Sequence, residues 1–349
     1  METHSDVILY AIASNNLSIA RSQAHKFNFK KAYGSYEDLL ADIEVDFVYI
    51  SLPNSLHFEW TLKSLTAGKH VLLETPFTSN ATEAAKLAAK AKDSGKILLE
   101  AFHWQFHPAA HRLRQYLDSN TLGAIVQTNA SMTSRSIDTT HWKYDFSGGS
   151  LMDMSDAVSF TRYVLHAELP EEVLQAKATP AGFDPRVDVK LDTTLRYKRS
   201  GMYARAGLDK TLVHSTIFTS LVWPWKFGFI PPIWNLPTIT VETDKAEIVL
   251  YNALMPHLYH YIGIKDKLTG SWRYEKYYKG GPLWKDRGET YWSTYRYQLE
   301  AFVDLLRGRE PVWWIDNGDS VLQMKTIDEI YRKSGMPIRP TNLLALETQ

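Results

Sequence analysis

Two carboxylates three residues apart, Asp153 and Asp156, follow the glycine pair Gly148-Gly149. Within one helix that spacing sets both on the same face, where each charge raises the other's pKa and one becomes a general acid. Helix capping or plain solvation uses the same residues equally well. Upstream, His103 and His107 stand four apart, with Trp104 and Gln105 between them. Metal pairs share that spacing, yet Pro108 ends the segment and no third ligand is evident, so no metal is expected. Both histidines remain candidates for acid–base work or for shaping a pocket wall. Trp142, Lys143 and Tyr144 precede the glycines, and Trp223, Trp225, Phe227 and Trp234 fill a stretch whose one charge between Val222 and Leu236 is Lys226. These residues are expected to line a pocket for an apolar ligand, with packing at an oligomer interface as the alternative.

Alternating strand and helix patterns must position these groups. Val7–Ala13, Val45–Leu52, His70–Glu74 and Ile97–Ala101 read as continuous apolar strands, and helices are expected to Phe27, over Leu56–Ala67 and over Asn80–Ser94. Unbroken apolar strands separated by helices predict a parallel, doubly wound sheet. Beyond residue 102 the spacing predicts helices over Pro108–Leu117 and Gly149–Leu165. A succession of short strands follows, including Val187–Tyr197, Met202–Gly207, His214–Val222 and Glu247–Tyr251, and implies a mostly antiparallel sheet. Two helices, Tyr291–Leu306 and Asp319–Lys333, close the chain.

The chain has 349 residues, with 39 Lys+Arg against 39 Asp+Glu, so no global field favours nucleic acid or an acidic membrane, and neither partner is expected. It has no cysteine, which removes thiolate chemistry, and no apolar run of membrane-spanning length. A cytoplasmic location is the expectation.

The order of several phrases resembles the glucose–fructose oxidoreductase/inositol dehydrogenase (Gfo/Idh/MocA) family, in its dihydrodiol and D-xylose dehydrogenase branch. Those phrases are Ala32-Tyr33-Gly34-Ser35-Tyr36, Pro53-Asn54-Ser55-Leu56-His57, Ala67-Gly68-Lys69-His70-Val71, Phe106-His107-Pro108, Gly148-Gly149-Ser150-Leu151-Met152-Asp153 and Gln298-Leu299-Glu300-Ala301-Phe302. The resemblance implies an α/β fold: an incomplete Rossmann-like parallel sheet over 1–102, then an α+β substrate and oligomerisation domain over 103–349 with a large, mostly antiparallel open sheet. The C-terminal helices are expected to pack back on the first domain, and a homodimer is expected.

Against that pattern four features depart. A Gly-x-Gly-x-x-Gly turn is absent near the start, and one βα unit is missing. Val7–Ala13 then reads as the family's second strand, or as its first with the second deleted. Glu74-Thr75-Pro76 carries threonine where the family has its catalytic lysine; Ala157 replaces a His or Tyr; and Ser14-Asn15-Asn16 lacks a charge for the ribose. Pro53, Asn54, His57, Glu74 and Thr75 are accordingly expected to be vestiges of a nucleotide site, with no cofactor bound and NADP as the alternative. The functional expectation is a non-redox enzyme for cyclisation, dehydration, isomerisation or a pericyclic step on an apolar small molecule. Its alternatives are an NADP-dependent oxidoreductase of sugars or dihydrodiols and a non-catalytic partner of an intact homologue. Catalytic residues are expected among Asp153, Asp156, His107 and His103.

Overall fold

The computed structural model describes residues 4–119, 121–134, 142–198, 212–222 and 235–347. The first part runs β1 (Ala11–Ala13), α1 (Leu17–Phe27), β2 (Lys31–Tyr33), α2 (Tyr36–Ala41), β3 (Phe47–Ile50), α3 (His57–Thr66), β4 (His70–Leu73), α4 (Ala81–Ser94) and β5 (Leu98–Glu100). Local signals set the helix ends. Asn16 caps α1 by accepting from the amides of Ser18 and Ile19, and Asn80 caps α4. Gly95, at φ 62°, closes α4 in the left-handed conformation that glycine adopts without strain.

These strands do not form one sheet. β1 pairs with β2 alone, and β3, β4 and β5 form a separate parallel sheet in that order. Between β1 and β3 lies a cavity of about 640 Å³, lined by Asp6–Ala13 on one side and Glu44–Leu52 on the other. Among the described residues no strand lies between β1 and β3, and the facing edges of the two are unpaired. Two contacts join the halves beside it: Tyr36 meets Trp60 edge-on at 4.7 Å, and Lys63 reaches Glu37 at 3.2 Å.

The second part continues with α5 (Pro108–Asp118), β6 (Ile125–Thr133), α6 (Ser150–Asp153), α7 (Asp156–Leu165), β7 (Glu172–Pro180), β8 (Asp188–Lys198), β9 (Leu212–Ser220), β10 (Thr238–Thr243), β11 (Ala246–Tyr251), β12 (Tyr261–Asp266) and β13 (Trp272–Glu275). Then come α8 (Gly281–Trp284), α9 (Thr294–Leu306), α10 (Asn317–Ser334) and α11 (Leu343–Glu347). The eight strands order β13-β12-β11-β10-β6-β9-β8-β7, antiparallel except for β6 beside β9. α6 and α7 pack on this sheet, and α10 lies against both β7 and α4. The expected single helix over Gly149–Leu165 is broken at Met154-Ser155 into α6 and α7. The expected strand Met202–Gly207 lies outside the described residues. Among the described residues no helix is long and apolar enough to cross a membrane.

Candidate functional site

In an open parallel sheet the crevice beyond the C-terminal ends of the strands collects ligands, because successive loops diverge there. Glu74 follows β4, the turn His103–Phe106 follows β5, and Tyr49 sits in β3. The Tyr49 hydroxyl donates to Glu74 Oε1, and Glu74 Oε2 accepts from the Thr75 amide at 3.3 Å. Opposite them stand Asp156, first residue of α7, and Tyr295 in the first turn of α9. The His103 ring lies on Tyr295 with centroids 4.0 Å apart.

Burial dominates the electrostatics here. Asp156, 6% exposed, is pushed up to about 7 by desolvation, with the Glu74 charge adding to the rise. Glu74 is itself raised by burial, against the hydrogen bond from Tyr49. Tyr295 is raised to about 12 by desolvation, then by Glu74 and Asp156. His103 falls to about 3 through burial and the neighbouring His257, so its imidazole stays neutral. At neutral pH the group offers a carboxyl that can hold or release a proton, a phenol donor and a neutral imidazole, the requirements of acid–base catalysis at an alcohol or carbonyl.

Asp153 stands apart from this group. The break at Met154-Ser155 turns it away from Asp156, and it meets Asn54 instead, whose Nδ2 donates to Oδ1 at 3.3 Å. The two aspartates therefore do not form a coupled pair on one helix face. Surrounding protein and the Asp188 charge raise Asp153 to about 7, a rise tempered by the solvent that reaches its exposed side chain. Asn54 also donates to the Ser147 carbonyl at 3.2 Å, so the Pro53-Asn54 turn joins the cleft to the glycine pair.

That glycine pair has a structural reason. Gly149 adopts φ 143°, and a Cβ there would lie 2.3 Å from Arg339 Nη2 and from Asp188 Oδ1. Arg339 and Asp188 form a fully buried ion pair at 2.6 Å. Asp188 also accepts from Ser150, the Leu151 amide and Tyr331. Only glycine lets this network reach the start of α6.

Several candidates prove structural. His107 caps α5, its Nδ1 accepting from the Ala109 amide at 3.2 Å, and its ring is closed in by His260 and Tyr297. Trp104 is 1% exposed and packs edge-on against Phe160 and Tyr163, contributing its indole N–H toward Asp156 rather than a pocket wall. Gln105 donates to Ser159 at 3.0 Å and accepts from Trp313 at 3.1 Å, an interior link. Trp142 is buried in the core, Lys143 is exposed, and Tyr144 donates to the Ile338 carbonyl beneath the Arg186 guanidinium. His57 lies between the Pro76 and Leu52 carbonyls at 2.7 and 2.8 Å, fixing the loop that ends in the cis peptide Thr75-Pro76. Ala157 is completely buried, so it opens no space toward the cleft. Trp223, Trp225, Phe227 and Trp234 lie outside the described residues. Tyr49, Tyr295 and His257 were not among the sequence candidates. Their signal is weak, since a lone tyrosine in a strand or a helix reads as packing.

Residues 1–102 match the Gfo/Idh/MocA family model, described as an oxidoreductase family with an NAD-binding Rossmann fold. The likeness to that family is carried by this part of the chain. Among curated proteins the chain is similar to D-xylose 1-dehydrogenase (NADP(+)) 2 of Haloferax volcanii, 38% identical over 56% of this chain and 59% of that one. It is 36% identical to mouse trans-1,2-dihydrobenzene-1,2-diol dehydrogenase, over 52% of this chain and 55% of the relative. Each match spans little more than half of the relative's length. The fold of the whole chain is like that of a 3-ketoreductase from Actinomadura kijaniata solved with NADP and TDP-benzene. That likeness has a TM-score of 0.75 at 22% identity, over 95% of this chain and 91% of the other.

These findings overturn the expectation that no nucleotide cofactor belongs to this protein: the Gfo/Idh/MocA match is to an NAD-binding family, and structural neighbours hold NADP. The described residues fit the cofactor only in part. Groups at the ends of β3, β4 and β5 provide one wall of the crevice. A diphosphate is held by free amides at a helix N-terminus. In α1 the Ser18 and Ile19 amides are already taken by Asn16 Oδ1, at 2.9 and 3.3 Å. No glycine-rich turn faces the crevice among the described residues, so they do not form the diphosphate cradle.

Proposed function

We propose that this chain is an NADP-linked oxidoreductase of small sugars or dihydrodiols, with Asp156 as its proton-transfer group. The observation that carries the reading is the grouping of Glu74, Tyr49, Tyr295, His103 and Asp156 beyond the ends of parallel strands, in a family that binds NAD. Oxidising an alcohol carbon requires the hydroxyl proton to leave. Thr75 carries no charge for that work, whereas Asp156, poised near 7, accepts a proton in its carboxylate form. Tyr295 donates a hydrogen bond to the same oxygen, and the neutral His103 ring fixes the phenol by stacking on it.

Turnover of D-xylose and of a trans-dihydrodiol, with NADP in large excess, tests the reading through nicotinamide absorbance. Activity should rise with pH through about 7, as Asp156 ionises, and Asp156→Asn should lower it by roughly 10² and remove that limb. Absence of hydride transfer with either substrate, despite bound NADP, would reject it. Thr75 at the lysine position favours a second reading, a non-redox cyclisation, dehydration, isomerisation or pericyclic step, and turnover without nicotinamide distinguishes it. The division near residue 102 and pairing of two copies through the open face of the eight-stranded sheet belong to the same proposal. A monomer mass by light scattering would remove the pairing.

A further inference from the structure

We propose that the crevice takes an amino sugar or another vicinal amino alcohol, its ammonium group bound by Glu74 and the neighbouring hydroxyl turned to Asp156. The proposal rests on the redox reading above for the fate of that hydroxyl, and adds the class of substrate. Binding of the ammonium stands without it.

Charge is the first ground. Glu74, just after β4, and Asp156, at the start of α7, act on each other across the crevice. Among the described residues neither is reached by a lysine or arginine. Glu74 meets the Tyr49 hydroxyl and the Thr75 amide, and Asp156 meets its own amide with the Trp104 indole nearby. Thr75, next to Glu74, carries no charge. Asp153, farther along the cleft, differs, because the Arg339 cation offsets part of its charge. Two like charges in a low-dielectric wall repel, and a cation placed between them relieves both.

Unpartnered groups are the second ground. Asp156 is 6% exposed and its Oδ1 makes no hydrogen bond; His103 is 5% exposed and its Nδ1 makes none. Buried polar atoms are normally paired, so a donor from a ligand gains most at these two. His103 stays neutral and keeps one nitrogen lone pair. The phenol of Tyr295, stacked on His103 at 4.0 Å, adds an oxygen from α9. The acceptors thus converge from the end of β4, from α7, from α9 and from the turn after β5. An ammonium points its donors out of a tetrahedral centre and can answer them, whereas a guanidinium forks its donors in one plane. A hydroxyl brings a donor without the charge. A phosphate or carboxylate on the sugar brings a further anion with no cation to hold it.

The test compares D-glucosamine, D-glucose and N-acetylglucosamine, which share a ring and carry an ammonium, a hydroxyl or a neutral amide at the same carbon. Calorimetric titration of the full chain at pH 7, without nucleotide, should show glucosamine binding about tenfold or more tighter than the other two. Glu74→Gln keeps the side chain's size and an accepting oxygen, and should shrink that difference to under about twofold. Thr75→Lys sets a fixed cation beside Glu74 and should do the same, which keeps the test open if the first variant does not fold. Glucosamine that binds no tighter than glucose, or does not bind, overturns the proposal, and so does a preference that survives in either folded variant. Nicotinamide absorbance with NADP then separates the two readings. If glucosamine is preferred but neither it, D-xylose nor a trans-dihydrodiol yields hydride despite bound NADP, the ammonium site stands and the redox reading fails. If D-xylose is oxidised and glucosamine is not preferred, the redox reading stands and the ammonium site fails.

Discussion

β1 and β8 show what a second neighbour does for a strand. β8 lies between β7 and β9, keeps both ladders and runs eleven residues, from Asp188 to Lys198. β1 has β2 on one side and the cavity before β3 on the other, and only Ala11–Ala13 remain strand. Yet Val7–Ala13 has the apolar content of a full strand. Composition gave both segments the capacity for a ladder, and partner supply decided how much of it forms. Strand length is a tertiary outcome because each residue's backbone groups point alternately to two edges, and one empty edge leaves half of them to water.

The comparison can be broken first at the network that anchors β8. Arg339→Leu leaves Asp188 buried without its partner and should lower stability by about 3–5 kcal/mol, read as a fall in the urea midpoint. An unchanged midpoint would mean that the ion pair does not hold the eight-stranded part together. Within β8 itself, Leu191 is fully buried, and Leu191→Ala should cost about 2–5 kcal/mol. Its counterpart at the cavity beside β1, Ile8→Ala, should change stability by no more than about 0.5 kcal/mol, because Ile8 is 65% exposed. Similar losses at the two sites would show that Ile8 is covered in solution.

Asp156, where the two regions meet, sharpens the comparison through pH. Its folded pKa is raised, so the folded state binds more protons than the unfolded one between pH 4 and 7. Stability must then fall as pH rises across that window and level off above it. Asp156→Asn should lessen the decline and raise stability at pH 8 by on the order of 2 kcal/mol, measured by urea unfolding at both pH values. Wild type and Asp156→Asn changing in parallel from pH 4 to 7 would show that the carboxyl is solvated.

Much of the frame was legible because its signals are local. Asn16 and Asn80 mark helix starts, Gly95 marks an end, and the order of family phrases announced both the doubly wound first part and the large sheet. Less of the site was legible. His107 and Gln105 looked chemical and are a cap and an interior link, while Tyr49 and Tyr295 looked like packing and face the crevice.

What the sequence determined by itself was the set of elements and their order, since propensity, caps and apolar period act over a few residues. Only the tertiary structure decided that Asp153 and Asp156 part company at Met154-Ser155, that Gly149 makes room for Arg339 against Asp188, and that β1 and β3 stay apart. Each depends on groups far apart in the chain, Asn54 and Asp153, Gly149 and Arg339, Tyr36 and Trp60. Their meeting is fixed by packing and burial, which no window of neighbouring residues contains.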